Sequence, residues 1–422
     1  MRARAVFETG LILGGFLVLF FLMPHSLRGD DHVRYHDIET LLRHGHLTNS
    51  RYSLVMPLVS APLLKLGNHI ESPIYWAVHF NVIVVAAGAL IAYLLLRRRY
   101  DARLFRLVVL VLLFASFLTN RLRDYNAETL TATLVTLGII CLATGRHTVF
   151  GWAAIVIGVA NTPATIIALA LMAIVHAVRT RRLRHLVPVL AAAGLIMLED
   201  WIRRGGPFVT GYGKQSFSYT FLLGLAAILF SFGRGLLFFT PGLVLWLDRS
   251  RRRLLPGRYA VALMMAFTVG LILTYSKWWA WYGGLSWGPR FFLFAAVPAS
   301  VLLATGIWRA GRSPMADAVT LIVLALSSWV SFSGAFVDIR DAVSFCSANG
   351  YRLEPYCWYM PQYSSLWYPV RESHQVISQL TTSTKVVALF CCVVFAYLAA
   401  PLVFSLLRWA LPRRSWVAGW RI

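Results

Sequence analysis

Apolar runs recur along the chain near 9–23, 74–96, 104–119, 129–144, 149–160, 164–178, 186–199, 235–247, 258–275, 291–308, 316–336 and 386–407. That repetition leaves few folds open. Roughly twenty apolar residues cross a bilayer as a helix, and several of these runs are near that length. With 58% hydrophobic and only 14% charged residues and a mean hydropathy of +0.66, the chain cannot be a soluble globular protein. The expectation is an all-α polytopic membrane protein with about twelve spans. It reads as one membrane domain over 1–422, with a first outer loop at 24–73 and an outer cap loop at 337–385. No internal repeat, Walker sequence or glycine-rich dinucleotide turn is present.

The net charge of +23 would suggest nucleic acid in a soluble chain. Here the basic residues lie in short clusters between apolar runs, the pattern of cytoplasmic loops, so nucleic acid is excluded as a partner. With the N-terminus cytoplasmic, one face receives 23 arginines, and the other receives 13 of the 17 carboxylates. The C-terminus is then cytoplasmic too. Only Lys65, Lys214, Lys277 and Lys385 are lysines, an arginine bias that fits a GC-rich bacterial source and an inner-membrane location. The first apolar run follows Met1-Arg-Ala-Arg4 and lacks a small-x-small cleavage site, so it is expected to be a retained anchor.

The first polar segment after that anchor, Gly29 to His46, opens with Asp30 and Asp31. Two acids beside hydrocarbon are costly unless they face water, a partner or a substrate. Either a catalytic base or a solvated connector would account for them. His32 and His36, four apart, would share a helical face near Asp31 and suggest a divalent metal, but a third and fourth ligand are lacking. The expectation is no cofactor.

Two further segments depart from simple spans. Asn161, Thr162 and Pro163 interrupt a long apolar run whose flanks, Arg146 and Arg179 to Arg184, both favour the cytoplasm; a hairpin with its apex at Pro163 satisfies both. Tyr219 to Phe232 is too short to cross and is expected to lie along the outer interface. Cys141, Cys391 and Cys392 fall in predicted helices, which leaves Cys346 and Cys357 as the pair able to form a disulfide in the outer cap.

Three outer segments share glycines, aromatics and basic residues: Asp200 to Tyr212 (DWIRRGGPFVTGY), Ser231 to Pro241 (SFGRGLLFFTP) and Lys277 to Arg290 (KWWAWYGGLSWGPR). Glycine permits close backbone approach, aromatic faces stack on sugars or hold prenyl chains, and an arginine fork binds phosphate oxygens bidentately. For Trp278, Trp279 and Trp281, an interfacial belt is the alternative role.

In these segments the chain resembles the GT-C superfamily of polyprenyl-phosphate-sugar-dependent membrane glycosyltransferases, in particular bacterial protein mannosyltransferases and aminoarabinose transferases. Trp281-Tyr-Gly-Gly-Leu-Ser-Trp-Gly-Pro-Arg290 resembles the pattern Trp-x-Gly-Gly-Trp-Ser-Trp-Gly-Pro-Arg. Ser231, Gly233, Arg234, Gly235, Leu236 and Pro241 match a second pattern, with Phe232 where proline is usual. Arg203, Gly205, Pro207, Gly211 and Tyr212 match a third, with Asp200, Arg204 and Gly206 departing. The hairpin apex resembles Thr-Arg-Pro-Thr, but Asn161 and Thr162 supply no arginine. The Asp30-Asp31 loop resembles the family's acidic loop, in which one acid is the catalytic base.

The resemblance implies displacement at the anomeric carbon of a sugar carried on polyprenyl phosphate, with inversion and transfer to an acceptor hydroxyl at the outer face. Asp30 or Asp31 takes the acceptor's proton. Arg234, Arg290 and Lys277 are the candidates for the donor phosphate, with membrane-anchoring roles as their alternatives. Tyr212, Glu128, Tyr282 and Trp287 are candidate substrate-binding residues, although Glu128 also suits an ordinary first helical turn. Partners are then the lipid-linked sugar, membrane lipid and a cell-envelope glycan, glycolipid or protein acceptor. A lipid-sugar transporter or flippase, or a non-catalytic assembly subunit, are competing expectations; a transporter would place ionisable groups near mid-membrane.

Overall fold

The computed structural model describes residues 2–411 apart from 254, 285, 338 and 343, so Asp338 and the basic tail after Leu411 lie outside the described residues. Helices dominate: α1 (Arg2–Phe21), α2 (Asp30–His44), α3 (Val55–Leu66), α4 (Pro73–Leu96), α5 (Ala102–Phe114), α6 (Ala127–Thr144), α7 (Thr148–Asn161), α8 (Ile166–Thr180) and α9 (Val187–Arg204) in the first half. The second half adds α10 (Phe221–Phe230), α11 (Arg258–Tyr275), α12 (Ala296–Trp308), α13 (Pro314–Phe336) and α14 (Thr382–Ala410). Among the described residues nine helices are long and apolar enough to cross a membrane.

The other three expected spans are shorter. α5 stops at Phe114 and α7 has 14 residues, so neither alone covers the roughly 30 Å hydrocarbon core. The run 235–247 is not one helix but a single turn, Leu236–Phe239, followed by a 3-10 segment, Pro241–Leu247. Pro241 removes a backbone donor and ends the turn there.

Local chemistry accounts for the helix boundaries. Ser72 accepts from Tyr75 N at 3.1 Å and is followed by Pro73; Asp101 accepts from Arg103 N at 2.6 Å, and Asn126 from Thr129 N at 3.1 Å. α6 and α7 pack on a glycine seam: a Cβ on Gly138 would lie 2.5 Å from the Gly151 carbonyl oxygen, so a larger residue would force the helices apart.

The hairpin is present. α7 ends at Asn161 and α8 returns, bringing Trp152 and His176 to 5.7 Å between ring centres at the open end. Asn161 secures the apex without an arginine. Its amide donates to the Ala127 carbonyl at 2.8 Å and its oxygen accepts from Met56 N at 2.9 Å, fastening the apex to the starts of α6 and α3.

Charges segregate to two ends of the bundle. At one, Glu8 accepts from Arg106 at 2.6 Å, Asp317 from Ser405 at 2.5 Å, and Arg251 donates to the Ala316 carbonyl at 2.7 Å. At the other lie α2, α3, the hairpin apex and residues 337–381. Arg123 holds the start of that last segment, donating to the carbonyls of Gly334, Ala335 and Val337. Cys346 and Cys357 are joined by a disulfide, with their Cα atoms 6.0 Å apart.

Candidate active site

Gly29, at φ 52° in the left-handed region, turns the chain into α2, so that Asp30 and Asp31 form its first turn. Successive helical residues point about 100° apart, and the two carboxylates accordingly enter different surroundings. Asp30 meets Arg290 Nη2 at 2.8 Å and Arg51 Nη2 at 3.9 Å, and also accepts from the Tyr52 hydroxyl. Asp31 turns into the bundle, 3.7 Å from Arg34 Nη1, with Asp124 and Glu128 close by.

These surroundings drive the two acids in opposite directions. Burial raises the Asp30 pKa, but the Arg290 and Arg34 cations and two hydrogen bonds more than reverse this and hold it down to about 2. For Asp31, burial and then repulsion from Asp124 push the pKa up to about 8, with Arg34 only partly offsetting them. Asp30 is therefore held as the anion, while the surroundings of Asp31 favour its protonated form. Asp30 is also the more accessible, with 21% of its side chain exposed against 9% for Asp31.

Arg290 reaches this position because two glycines shape the loop before it. Gly288 (φ +67°) and Gly283 (φ +79°) hold left-handed backbone, and a Cβ on Gly283 would come within 3.0 Å of the Arg290 side chain. Arg234 supports the same loop from beneath. Only 4% exposed, it donates to the carbonyls of Ser286, Gly288 (3.3 Å) and Gly284 (3.1 Å). Both terminal nitrogens of Arg234 are thus committed to backbone, while its buried Nε has no partner among the described residues.

The other expected residues divide. Tyr212 joins the site: the Arg51 guanidinium lies 5.4 Å over its ring, and Trp278 meets it edge-on at 5.5 Å. Glu128 sits in the first turn of α6, near Asp31 and Arg290. Lys277 is exposed and is not among the groups that hold Asp30. Trp287 is 1% exposed, packed edge-on against Phe239 at 5.2 Å and against Gly334, so it is a core residue, not a substrate contact. Tyr282 lies outside the carboxylate cluster, stacked on Trp358 at 4.0 Å. His32 and His36 are exposed on α2 while Asp31 is buried; among the described residues no three His, Cys, Asp or Glu side chains gather as a metal site.

Sequence reasoning missed Arg34, Arg51 and Tyr52. Arg34 was detectable, since it stands three and four residues after the two acids and so shares their helical face. Arg51 and Tyr52 were not, because a non-local device places them. Arg203 donates to the carbonyls of Thr48 (2.9 Å) and Tyr52 (2.5 Å) and to Asp37 (3.3 Å), and Arg204 donates to the Ser50 carbonyl. Two arginines at the end of α9 thereby pin residues 48–52 over α2, and the Tyr52 ring lies between the Arg34 and Arg51 guanidiniums, at 4.3 and 5.0 Å.

Beside the site an apolar groove runs along the bundle between α4, α5, α6, α11 and α12. Thr129 and Leu293 line its near end, next to Glu128 and three residues past Arg290; Tyr100 and Pro256 line its far end.

No protein-family model and no curated protein sequence matches the chain. Solved structures do. The chain is similar to ArnT from Cupriavidus metallidurans bound to undecaprenyl phosphate, with a TM-score of 0.55 at 14% identity over 96% of this chain and 78% of that one. The same protein in its apo state gives a TM-score of 0.56 at 15% identity over 96% and 76%. ArnT is an aminoarabinose transferase of the GT-C type, and this chain shares its fold.

Proposed function

We propose that the chain is an inverting glycosyltransferase that moves a sugar from a polyprenyl-phosphate carrier to an acceptor hydroxyl at the outer face of a bacterial inner membrane, with both termini cytoplasmic. The observation that carries this reading is the Asp30–Arg290 pair at 2.8 Å, with an apolar groove beginning nearby at Leu293, three residues past Arg290. An anionic base, a cationic fork and a channel for a prenyl tail are the parts such a transfer needs. The fold shared with a protein crystallised with undecaprenyl phosphate supports the same class of carrier.

The carrier's tail lies in the groove and its phosphate reaches Arg290, with Arg51 as the second cation. Phosphate competes with Asp30 for both. As it takes over Arg290, Asp30 loses the larger of the two charges that hold its pKa down, leaving Arg34, and becomes a stronger base at the moment an acceptor arrives. The acceptor oxygen attacks the anomeric carbon from the face opposite the phosphate, and its proton passes to Asp30. The bond from carbon to phosphate oxygen breaks, and the electron pair leaves with the phosphate. The leaving group is already a stable anion, so two arginines suffice and no metal is required in the scheme. Tyr212, beside Arg51 and Trp278, walls the sugar, while Asp31 faces Arg34 inside the bundle.

The test is transfer by the purified protein from a panel of radiolabelled polyprenyl-phosphate sugars, comparing wild type with Asp30→Asn and Asp31→Asn. Loss in Asp30→Asn with substantial retention in Asp31→Asn is expected. Wild-type rates in both would remove the base assignment, and movement of lipid-linked sugar across the bilayer without discharge would favour a flippase.

A further inference from the structure

A second polar and aromatic cluster stands beside this site, and its Glu354 carboxylate faces Arg234, the support of the Gly283–Arg290 loop. Tyr282, next to Gly283, donates its hydroxyl to Glu354 from the cap segment and stacks on Trp358 at 4.0 Å. Trp281 meets Trp358 at 5.5 Å and Tyr359 at 6.1 Å, and the Tyr359 and Tyr219 hydroxyls lie 3.3 Å apart. Tyr359 is 43% exposed, so the cluster opens to the outer end of the bundle.

Packing alone does not explain its polar groups. Trp281 and Trp358 each bury an indole N–H without a partner among the described residues, and Trp281 is only 2% exposed. A buried donor left unpaired is unfavourable, and here two of them lie against the exposed Tyr359, unlike that of Trp287 in the core. The cap is also held in register: the disulfide ties 346 to 357, Gly233 N donates to the Trp358 carbonyl at 3.0 Å, and Ser364 donates to the Phe232 carbonyl at 2.8 Å.

We propose that this cluster is the acceptor subsite and that the acceptor is a glycan. Flat aromatic faces suit the C–H face of a sugar ring, the Glu354 carboxylate accepts from ring hydroxyls, and the Tyr359 and Tyr219 hydroxyls donate to ring oxygens. A bound acceptor would then present its hydroxyl across Gly283, where absence of a side chain leaves room for Arg290. The inference rests on the glycosyltransferase reading, because it assigns the second substrate of that reaction.

The test uses the full-length protein in nanodiscs with its disulfide intact, titrated with short linear mannan, arabinan and glucan oligosaccharides and followed by tryptophan fluorescence. Undecaprenyl phosphate binding is measured on the same samples. Saturable quenching by one of the oligosaccharides is expected, weakened about tenfold or more in Tyr359→Ala and in the isosteric Glu354→Gln, with carrier binding unchanged in Tyr359→Ala. Carrier binding without any oligosaccharide response would overturn the glycan assignment alone and leave a protein or lipid headgroup as acceptor. Failure of both ligands would overturn the transferase reading as well. Quenching that survives both substitutions undiminished would remove the subsite from this cluster.

Discussion

Replacing Asp30 with asparagine separates its two proposed duties, holding Arg290 and accepting a proton. The side chain keeps its size, but the charge that pairs with Arg290 at 2.8 Å disappears. Displacement of the Asp30 pKa from 3.8 to about 2 corresponds to about 2 kcal/mol of favourable pairing in the folded protein. Because the folded pKa is depressed, that stabilisation is present above pH 3.8 and lost as pH falls through about 2. At pH 7 the variant should therefore melt below wild type, and the gap should close in strong acid. The same about 2 kcal/mol bounds what a phosphate gains when Arg290 no longer has a competing carboxylate, so carrier affinity should rise by up to roughly thirtyfold. Transfer, with its base removed, should fall by about 10²- to 10⁴-fold. Undecaprenyl phosphate affinity by titration, transfer by radiolabel and melting by intrinsic fluorescence give the three readouts. Tighter carrier binding with slower transfer is the signature of a base held by its phosphate ligand. If binding and transfer decline together in step with melting, Asp30 is a structural anchor of α2 and the mechanism is refuted.

Other substitutions should respond differently. Asp31→Asn should keep transfer within about tenfold of wild type at pH 7, since the surroundings of the native side chain favour its protonated form. The raised Asp31 pKa favours the fold below pH 3.8 and loses that advantage as pH rises through about 8, so the variant should melt above wild type at pH 8 to 9 by scanning calorimetry. Arg290→Lys should weaken carrier binding by about tenfold, because an ammonium cannot reproduce the bidentate fork; Arg290→Ala should weaken it further. Arg234→Met would leave the carbonyls of Gly284, Ser286 and Gly288 without their donor, at about 1–3 kcal/mol each where no water replaces it. That variant should melt earlier and lose transfer through Arg290, with hydrogen exchange rising first in 283–290. Reducing the Cys346–Cys357 disulfide, which closes a loop of 11 residues, should remove about 3 kcal/mol of local stability from the cap and leave carrier affinity unchanged.

Much of the fold was legible because membrane helices announce themselves by composition alone. Each apolar run had to form its own backbone hydrogen bonds, so α4, α11, α13 and α14 lie near where the hydropathy placed them. The hairpin at Asn161 was equally legible, because Pro163 and the flanking arginines constrain the chain independently. Lost were features for which local signals tie. Residues 235–247 are as apolar as a span, yet Pro241 divides them, and hydropathy does not weigh a missing backbone donor. Trp287 and Tyr282 share one motif, but the first faces Phe239 in the core and the second faces the cap, a difference set by left-handed glycines that hydrophobic periodicity does not report.

The two acids show how far such reading goes. Adjacent in sequence and identical in type, Asp30 and Asp31 could not be ranked from the loop, because what distinguishes them arrives from elsewhere: Arg290 from the start of a membrane segment, and Asp124 and Glu128 from the turn before α6 and from its first turn. A helix separates its first two side chains by about 100°, and that rotation sends one carboxylate to cations and the other to carboxylates. The same geometry makes Arg234 important in a way its motif concealed. Its terminal nitrogens are turned toward three carbonyls, and by fixing them it determines where the Arg290 fork meets Asp30. Base, fork and loop therefore form one mechanical unit, in which a change at Arg234 should be read at Asp30 as a shifted pH dependence of transfer before any ligand contact is lost.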